Sequence, residues 1–235
     1  MNTDLIIVCG VCSKRSEDNL SKVIQSLDKQ KFKNKYILFD GCSIQLKQQK
    51  DKYIKYKNSY KVHYPDFQFI ESSECNYYKK NLELFIKDNF EALAKNLFVI
   101  QDDIILDDFD LEKVLNSKAV FDECRILYFR EHRLRCNHWF NIIEDKQDLL
   151  KTHGWNEKVY LTDKEHLVKI LDILPNDIKF TGSFVTKFYY DNLMKDKTWE
   201  TITEKEQLDF WNTWGCYEHK TIHHKHLSTK RNLFT

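Results

Sequence analysis

The apolar positions of this chain fall into two rhythms that alternate along it. Leu5 to Cys9, Tyr36 to Phe39 and Leu97 to Ile100 are short runs without polar interruption, the pattern of strands buried on both faces. Between them, Leu20, Val23, Ile24 and Leu27, and later Tyr78, Leu82, Phe85, Ile86, Phe90 and Leu93, return every three or four residues, which predicts helices packed along one side. Ser16 is placed to cap the first of these. A strand, a helix and a strand over about 40 residues make a βαβ unit, whose crossover implies parallel strands. A second such crossover, through the helix from Asn76 to Leu93, leads into the strand Leu97 to Gln101. The fold class expected is therefore α/β, with a mixed, mainly parallel central sheet and Leu97 to Gln101 in its middle.

The remaining segments are weaker in pattern. Residues 44–62, rich in Lys, Gln and Tyr, read as an exposed helix and loop in which Tyr53, Tyr56 and Tyr60 are anchors; the same mixture could stack on single-stranded nucleic acid, but a solvated face is the better account. Phe67 to Ile70 suits a short edge strand. Asp110 can cap a helix through Leu115, and Arg125 to Phe129 and Val159 to Leu161 are strand-like. Thr162 is the expected cap of a helix carrying Leu167, Ile170, Leu171 and Leu174, which Pro175 stops. Ile178 to Val185 reads as a strand broken by Gly182, and helices are expected at Tyr189 to Met194 and Glu204 to Trp214. No repeat or linker divides the chain, so residues 1–235 are expected to form one domain.

Composition narrows the class. With 235 residues and 42% hydrophobic content a sizeable core can be buried. Lys plus Arg number 37 against 36 for Asp plus Glu, so no general attraction to nucleic acid or anionic lipid is expected. No run approaches a membrane span, and seven scattered cysteines suit a reducing compartment, so a cytoplasmic protein is expected. Cys9 and Cys12, at a strand end, could form a thiol redox pair, but the cap at Ser16 comes too late to activate the first thiol.

Parallel strands end on one edge of a sheet, where ligands of open α/β sheets bind. Three places fall there: the turn from Gly10 to Arg15, Asp40-Gly41, and Asp102-Asp103. Together they offer a cationic side chain, a carboxylate that can accept from a base or ribose, and a carboxylate pair for a hard cation. Mg²⁺ or Mn²⁺ takes oxygen ligands and borrows several from phosphate and water, so one or two carboxylates suffice. This is the make-up of a nucleoside-diphosphate site.

The βαβ start, Asp40-Gly41 after the second strand, the long helix and then Phe98-Val99-Ile100-Gln101-Asp102-Asp103-Ile104 resemble the GT-A type nucleotide-sugar glycosyltransferases, in a family-2-like form. Gln101-Asp102-Asp103 stands as a version of their Asp-x-Asp metal motif. The resemblance is best over residues 1–110. It implies a Rossmann-like α/β sandwich, with residues 1–110 as the nucleotide and metal half and 111–235 as the acceptor half. It implies that Asp40 contacts the nucleoside and that Asp103, with Asp102, holds Mn²⁺ or Mg²⁺. A C-terminal histidine supplies a metal ligand in some similar enzymes, which makes His224, among His223, His224 and His226, the candidate here. Gly182-Ser183-Phe184 resembles the strand lining the acceptor site, and Glu204 and Glu206 lie where inverting members carry an acidic base. The partners implied are a nucleoside-diphosphate sugar and a hydroxyl acceptor such as a glycan, a protein or a lipid-linked sugar.

An inverting transfer needs one carboxylate to take the acceptor's proton. Glu204, Glu206 and Asp209 are the candidates, with Glu206 preferred. The cationic stretch from Arg130 to Trp139 would clamp phosphates or an anionic substrate if it is not a solvated loop. A catalytically inactive nucleotide- or sugar-binding module of the same fold is the main alternative.

Overall fold

The computed structural model of the chain describes residues 2–9, 19–41, 50–120, 124–129, 142–152, 158–174, 201, 203, 205–206 and 216–227. The unbroken apolar runs form the strands predicted: β1 (Thr3–Cys9), β2 (Lys35–Phe39) and β4 (Asn96–Gln101), with β3 (Gln68–Glu71) at the edge. Helices α1 (Asn19–Leu27), α2 (Lys50–His63) and α3 (Tyr77–Asn89) connect them. The helical rhythm marks the face that goes inward, since Leu20, Val23, Ile24 and Leu27 of α1 and Leu82, Phe85 and Ile86 of α3 are all buried.

Strands β3, β2, β1 and β4 lie side by side and parallel. From β1 the chain moves one way to β2 and β3, then returns past β1 to β4. Right-handed crossovers therefore place α1 and α2 on one face and α3 on the other. Contacts agree: the Tyr60 hydroxyl of α2 meets Ser21 Oγ of α1 at 3.0 Å, while α3 packs with the later helix α5 (Lys164–Ile173). The reversal between β1 and β4 is a topological switch point, and the crevice beyond their carboxyl ends is the place such a sheet offers a ligand.

The second half extends the sheet through β9 (Val159–Asp163), β6 (Ile126–Tyr128), β10 (Cys216–His219), β8 (Leu149–Thr152) and β7 (Ile142–Lys146), in that spatial order after β4. Strand β9 runs against β4 and β6, and β8 against β10 and β7, whereas β6 and β10 run with β4. The carboxyl ends of β1, β2, β4, β6 and β10 thus share one edge with the amino end of β9. A separate ribbon pairs β5 (Ile104–Leu106) with β11 (His224–His226), antiparallel.

Two helix starts test the capping expectations. Asp110 caps α4 (Leu111–Ala119) as expected, its Oδ1 accepting from Glu112 N at 2.9 Å and Lys113 N at 3.1 Å. Thr162 is not the cap of α5: it is still in β9, its Oγ1 donating to Arg125 O at 3.0 Å, and Asp163 holds the cap position. The reason is that β9 pairs with β4 as far as Asn96, which keeps Thr162 extended. Ser16, Arg130 to Trp139, Pro175, Ile178 to Val185 and Tyr189 to Met194 lie outside the described residues; of the helix expected from Glu204 to Trp214, Lys205 and Glu206 are described and are helical.

Candidate functional site

Asp102 and Asp103 follow β4 directly and both are buried, at 3% and 7% exposure. Their backbone is fastened on two sides, because Asp102 N donates to Val8 O of β1 at 3.3 Å and Leu227 N donates to Asp103 O at 2.8 Å. The second bond closes the β5–β11 ribbon, in which His224 faces Leu106 and His226 faces Ile104. Residues more than 100 positions apart in the sequence are thereby delivered to one place, and His226 Nδ1 lies 3.9 Å from Asp103 Oδ2.

The two imidazoles differ in which nitrogen they can offer. His224 is buried, and its Nδ1 donates to Phe129 O at 2.5 Å, which assigns the proton to Nδ1 and leaves Nε2 as the acceptor nitrogen. At His226 it is Nε2 that faces Lys158 Nζ, at 2.6 Å, so Nε2 accepts and Nδ1–H is the side turned toward Asp103. His224 therefore has the tautomer of a metal ligand and His226 that of a partner to a carboxylate. Among the described residues no group of three His, Cys, Asp or Glu side chains is gathered to hold a metal ion, so the structure brings Asp102 and Asp103 together but does not set His224 with them as a third ligand. The donor set nevertheless fits a Mg²⁺ or Mn²⁺ that takes its other ligands from phosphate and water, since two adjacent carboxylates supply hard oxygen at the strand end.

Asp40 ends β2 on the same edge, two strand spacings of about 4.8 Å from β4. Its carboxylate is turned onto its own chain. Oδ1 accepts from Gly41 N at 2.9 Å and Asn76 N at 2.7 Å; Oδ2 accepts from Tyr77 N at 2.9 Å, with Cys75 Sγ at 3.7 Å. Burial pushes the Asp40 carboxyl above the usual carboxylate range, and the amides of Asn76, Tyr77 and Gly41 pull against it without reversing it. The donors also hold Tyr77 at φ 56°, a left-handed conformation that costs a bulky residue about 1–3 kcal/mol. Gly41 is needed for the same closure: a Cβ there would lie 2.2 Å from the carbonyl carbon and oxygen of Glu74. Expected as a nucleoside contact, Asp40 is thus placed as the clamp of the 72–77 loop beside the crevice.

Tyr56 of α2, half-buried, is the next residue at this edge. Burial pushes its hydroxyl well above the ordinary tyrosine value, and the nearby Cys9, Tyr60 and Asp102 push the same way, so it stays protonated beside Asp102. Cys9 is buried in β1, while Cys12, Gly10 and Arg15 lie outside the described residues. Glu206 is described, and its carboxylate accepts from Thr203 N and Thr203 Oγ1, both at 3.0 Å, while Glu206 N donates to Thr203 Oγ1 at 3.3 Å. This is a capping box, the reciprocal closure of a helix start. Glu204 and Asp209 lie outside the described residues.

Lys158 was not among the residues expected, and of the histidine cluster it was His224 rather than His226 that stood out. A lysine before a strand carries no signal in sequence, and only the reversed direction of β9 brings it to the ligand edge.

No protein-family model matches the chain, and no curated protein matches it in sequence. Solved structures do match in shape. GalNAc-T7 with UDP, GalNAc and Mn²⁺ superposes over 96% of this chain at TM-score 0.53 and 8% identity. The mannosyltransferase PcManGT from Pyrobaculum calidifontis, in complex with GDP-Man and Mn²⁺, does so over 83% at TM-score 0.51 and 9% identity. The fold is of the GT-A type. A mannose-1-phosphate geranyltransferase from Thermus thermophilus, at 9% identity and TM-score 0.52 over 93% of this chain, shows that the same architecture serves other transferases. This chain spans 43% of GalNAc-T7, 52% of PcManGT and 74% of the Thermus protein. At these identities the GT-A likeness is one of fold. No helix among the described residues is long and apolar enough to cross a membrane.

Proposed function

We propose that this chain is a metal-dependent glycosyltransferase that moves a sugar from a nucleoside-diphosphate sugar to a hydroxyl acceptor. The observation that carries the reading is the meeting of the buried Asp102-Asp103 pair with the His224–His226 strand at the switch-point edge of a GT-A fold. Asp103, with Asp102, would hold Mn²⁺ or Mg²⁺, and His224 Nε2 is the histidine proposed to join them when the ion binds. Such an ion, when bound, draws charge from the diphosphate and eases its departure. The loop clamped by Asp40 and Gly41 would receive the nucleoside, with Gly10 and Arg15 in the turn after β1 contributing on the phosphate side.

The acceptor would be gripped by the half from residue 111 onward, within a single domain. Of the candidate bases, Glu206, Glu204 and Asp209, Glu206 is the one proposed to take the acceptor's proton in an inverting transfer. In the neighbours it is UDP and GDP-Man that accompany Mn²⁺, which supports a nucleotide-sugar donor here.

Calorimetric titration with UDP, GDP, CDP and their sugars, with and without Mn²⁺, tests the reading. One nucleotide is expected to bind only with metal, and Asp103→Ala is expected to abolish that binding while leaving the melting temperature nearly unchanged. Binding that survives metal removal overturns the metal role. Binding without any sugar transfer would favour an inactive module of the same fold.

A further inference from the structure

Two carboxylates neutralise a divalent ion, so Asp102 and Asp103 together cancel the charge of the metal they would hold. The diphosphate gains a further negative charge when it leaves. The bond between the anomeric carbon and the diphosphate oxygen breaks with its electron pair on that oxygen, the acceptor oxygen forms the new bond, and the acceptor's proton goes to the base. A cation beyond the metal is therefore called for on the diphosphate side.

Lys158 borders the carboxylate pair on the β9 side of β4, across from the turn after β1. It precedes β9, whose antiparallel course sets its amino end beside the carboxyl end of β4, and the backbone is pinned by Gln101 N donating to Lys158 O at 2.9 Å. From this half-buried position the ammonium reaches His226 Nε2 at 2.6 Å, and His226 Nδ1 in turn lies 3.9 Å from Asp103 Oδ2. A line of lysine, histidine and aspartate thus runs along the edge to the carboxylate pair. Lys225, in β11 beside His226, is turned away onto Asp107, at 2.8 Å. A ring nitrogen is a weaker partner for an ammonium than an anionic phosphate oxygen, so an arriving diphosphate would take Lys158 from His226.

We propose that Lys158 binds the donor's diphosphate and stabilises it as it leaves, passing from His226 Nε2 to a phosphate oxygen. The inference rests on the glycosyl-transfer reading above. Lys158 moves no proton in this role; it supplies charge.

Lys158→Met keeps the aliphatic stem and removes the charge, and Lys158→Arg restores it. Titration of both variants and the wild-type chain with UDP, GDP and CDP in saturating Mn²⁺ should show affinity falling roughly 10- to 100-fold in Lys158→Met, the worth of a charge-assisted hydrogen bond, and recovering in Lys158→Arg. Mn²⁺ binding without nucleotide, read by electron paramagnetic resonance, should be unchanged or tighter, because a cation beside the carboxylates has gone. Nucleotide affinity in Lys158→Met within about twofold of wild type would overturn the proposal and leave the donor reading standing. A parallel loss of Mn²⁺ and nucleotide binding would also overturn it, making Lys158 a positioning residue for His226 and Asp103. Failure of the wild-type chain to bind any of the three nucleotides with Mn²⁺ would remove the donor reading and this inference with it.

Discussion

Replacing Asp40 with Asn separates a clamp from a ligand contact, because the change keeps the shape and removes half of the acceptor capacity. Asp40 Oδ1 can remain the acceptor for Gly41 N and Asn76 N, but an amide nitrogen in place of Oδ2 would face Tyr77 N–H and the Cys75 thiol, donor against donor. Loss of one hydrogen bond to a charged group, with its amide left facing a donor, is worth about 2–4 kcal/mol. Some is returned, because burial already pushes this carboxyl upward and the neutral side chain escapes that desolvation, so the lower end, about 2 kcal/mol, is expected. For a domain of this size that lowers the melting temperature by roughly 4–8 °C. Thermal unfolding followed by circular dichroism reads the shift, and titration with the nucleotide that binds best reads the site. A melting temperature within about 1 °C of wild type, together with lost nucleotide affinity, would refute the clamp and return the carboxylate to the nucleoside.

Glu206→Gln is expected to lower turnover by about 10² to 10⁴ with nucleotide affinity and melting temperature retained, since Gln serves a capping box as well as Glu but is no base; steady-state kinetics showing full turnover would remove Glu206 from the role. His219 gives a pH dependence. Its Nδ1 accepts from Ile222 N at 3.1 Å and Thr221 N at 3.3 Å, and burial lowers its pKa from 6.5 to about 4, with Asp148 opposing and Lys113 and His223 adding to the fall. The folded chain then binds fewer protons than the unfolded one between those values, so the contribution is complete above pH 6.5 and is lost as pH falls toward 4. A gap of that size amounts to at most about 3 kcal/mol. Urea unfolding of the wild-type chain and His219→Gln should show this slope only in the wild type, and equal slopes would refute it.

The parallel half of the sheet was legible because its strands are buried on both faces and announce themselves as unbroken apolar runs. What could not be read was direction. A buried run such as Val159 to Leu161 looks the same whether it lies parallel or antiparallel to its neighbour, and here it pairs antiparallel with β4 through Val159 opposite Ile100. Strands β10 and β11 were missed for a different reason: Cys216 to His219 is short and mixed and His224 to His226 is polar, and they are strands because of what they pair with. Strand β5, Ile104 to Leu106, is apolar but only three residues long. The hairpin of β7 and β8 turns at Gln147, φ 39°, where no Gly or Asn signals it.

At the site, legibility follows the same division between local and paired. The place of Asp102-Asp103 at the end of β4 could be read because the signal is local, an apolar run stopping at two carboxylates. His224 could be suggested by resemblance, but its usable nitrogen is decided by Phe129 O, just past β6 and 95 positions earlier. Asp40 shows the limit most clearly. Its residue type and its place at a strand end are written in Phe39-Asp40-Gly41, yet the carboxylate is bonded by the amides of Asn76 and Tyr77, which lie beyond α2 and β3 in the chain. A carboxylate at a ligand edge therefore has two destinations, the ligand or the loop that shapes the ligand's bed. At Asp40 three backbone N–H groups, those of Gly41, Asn76 and Tyr77, bond the carboxylate, and the Asp40→Asn measurement distinguishes the two.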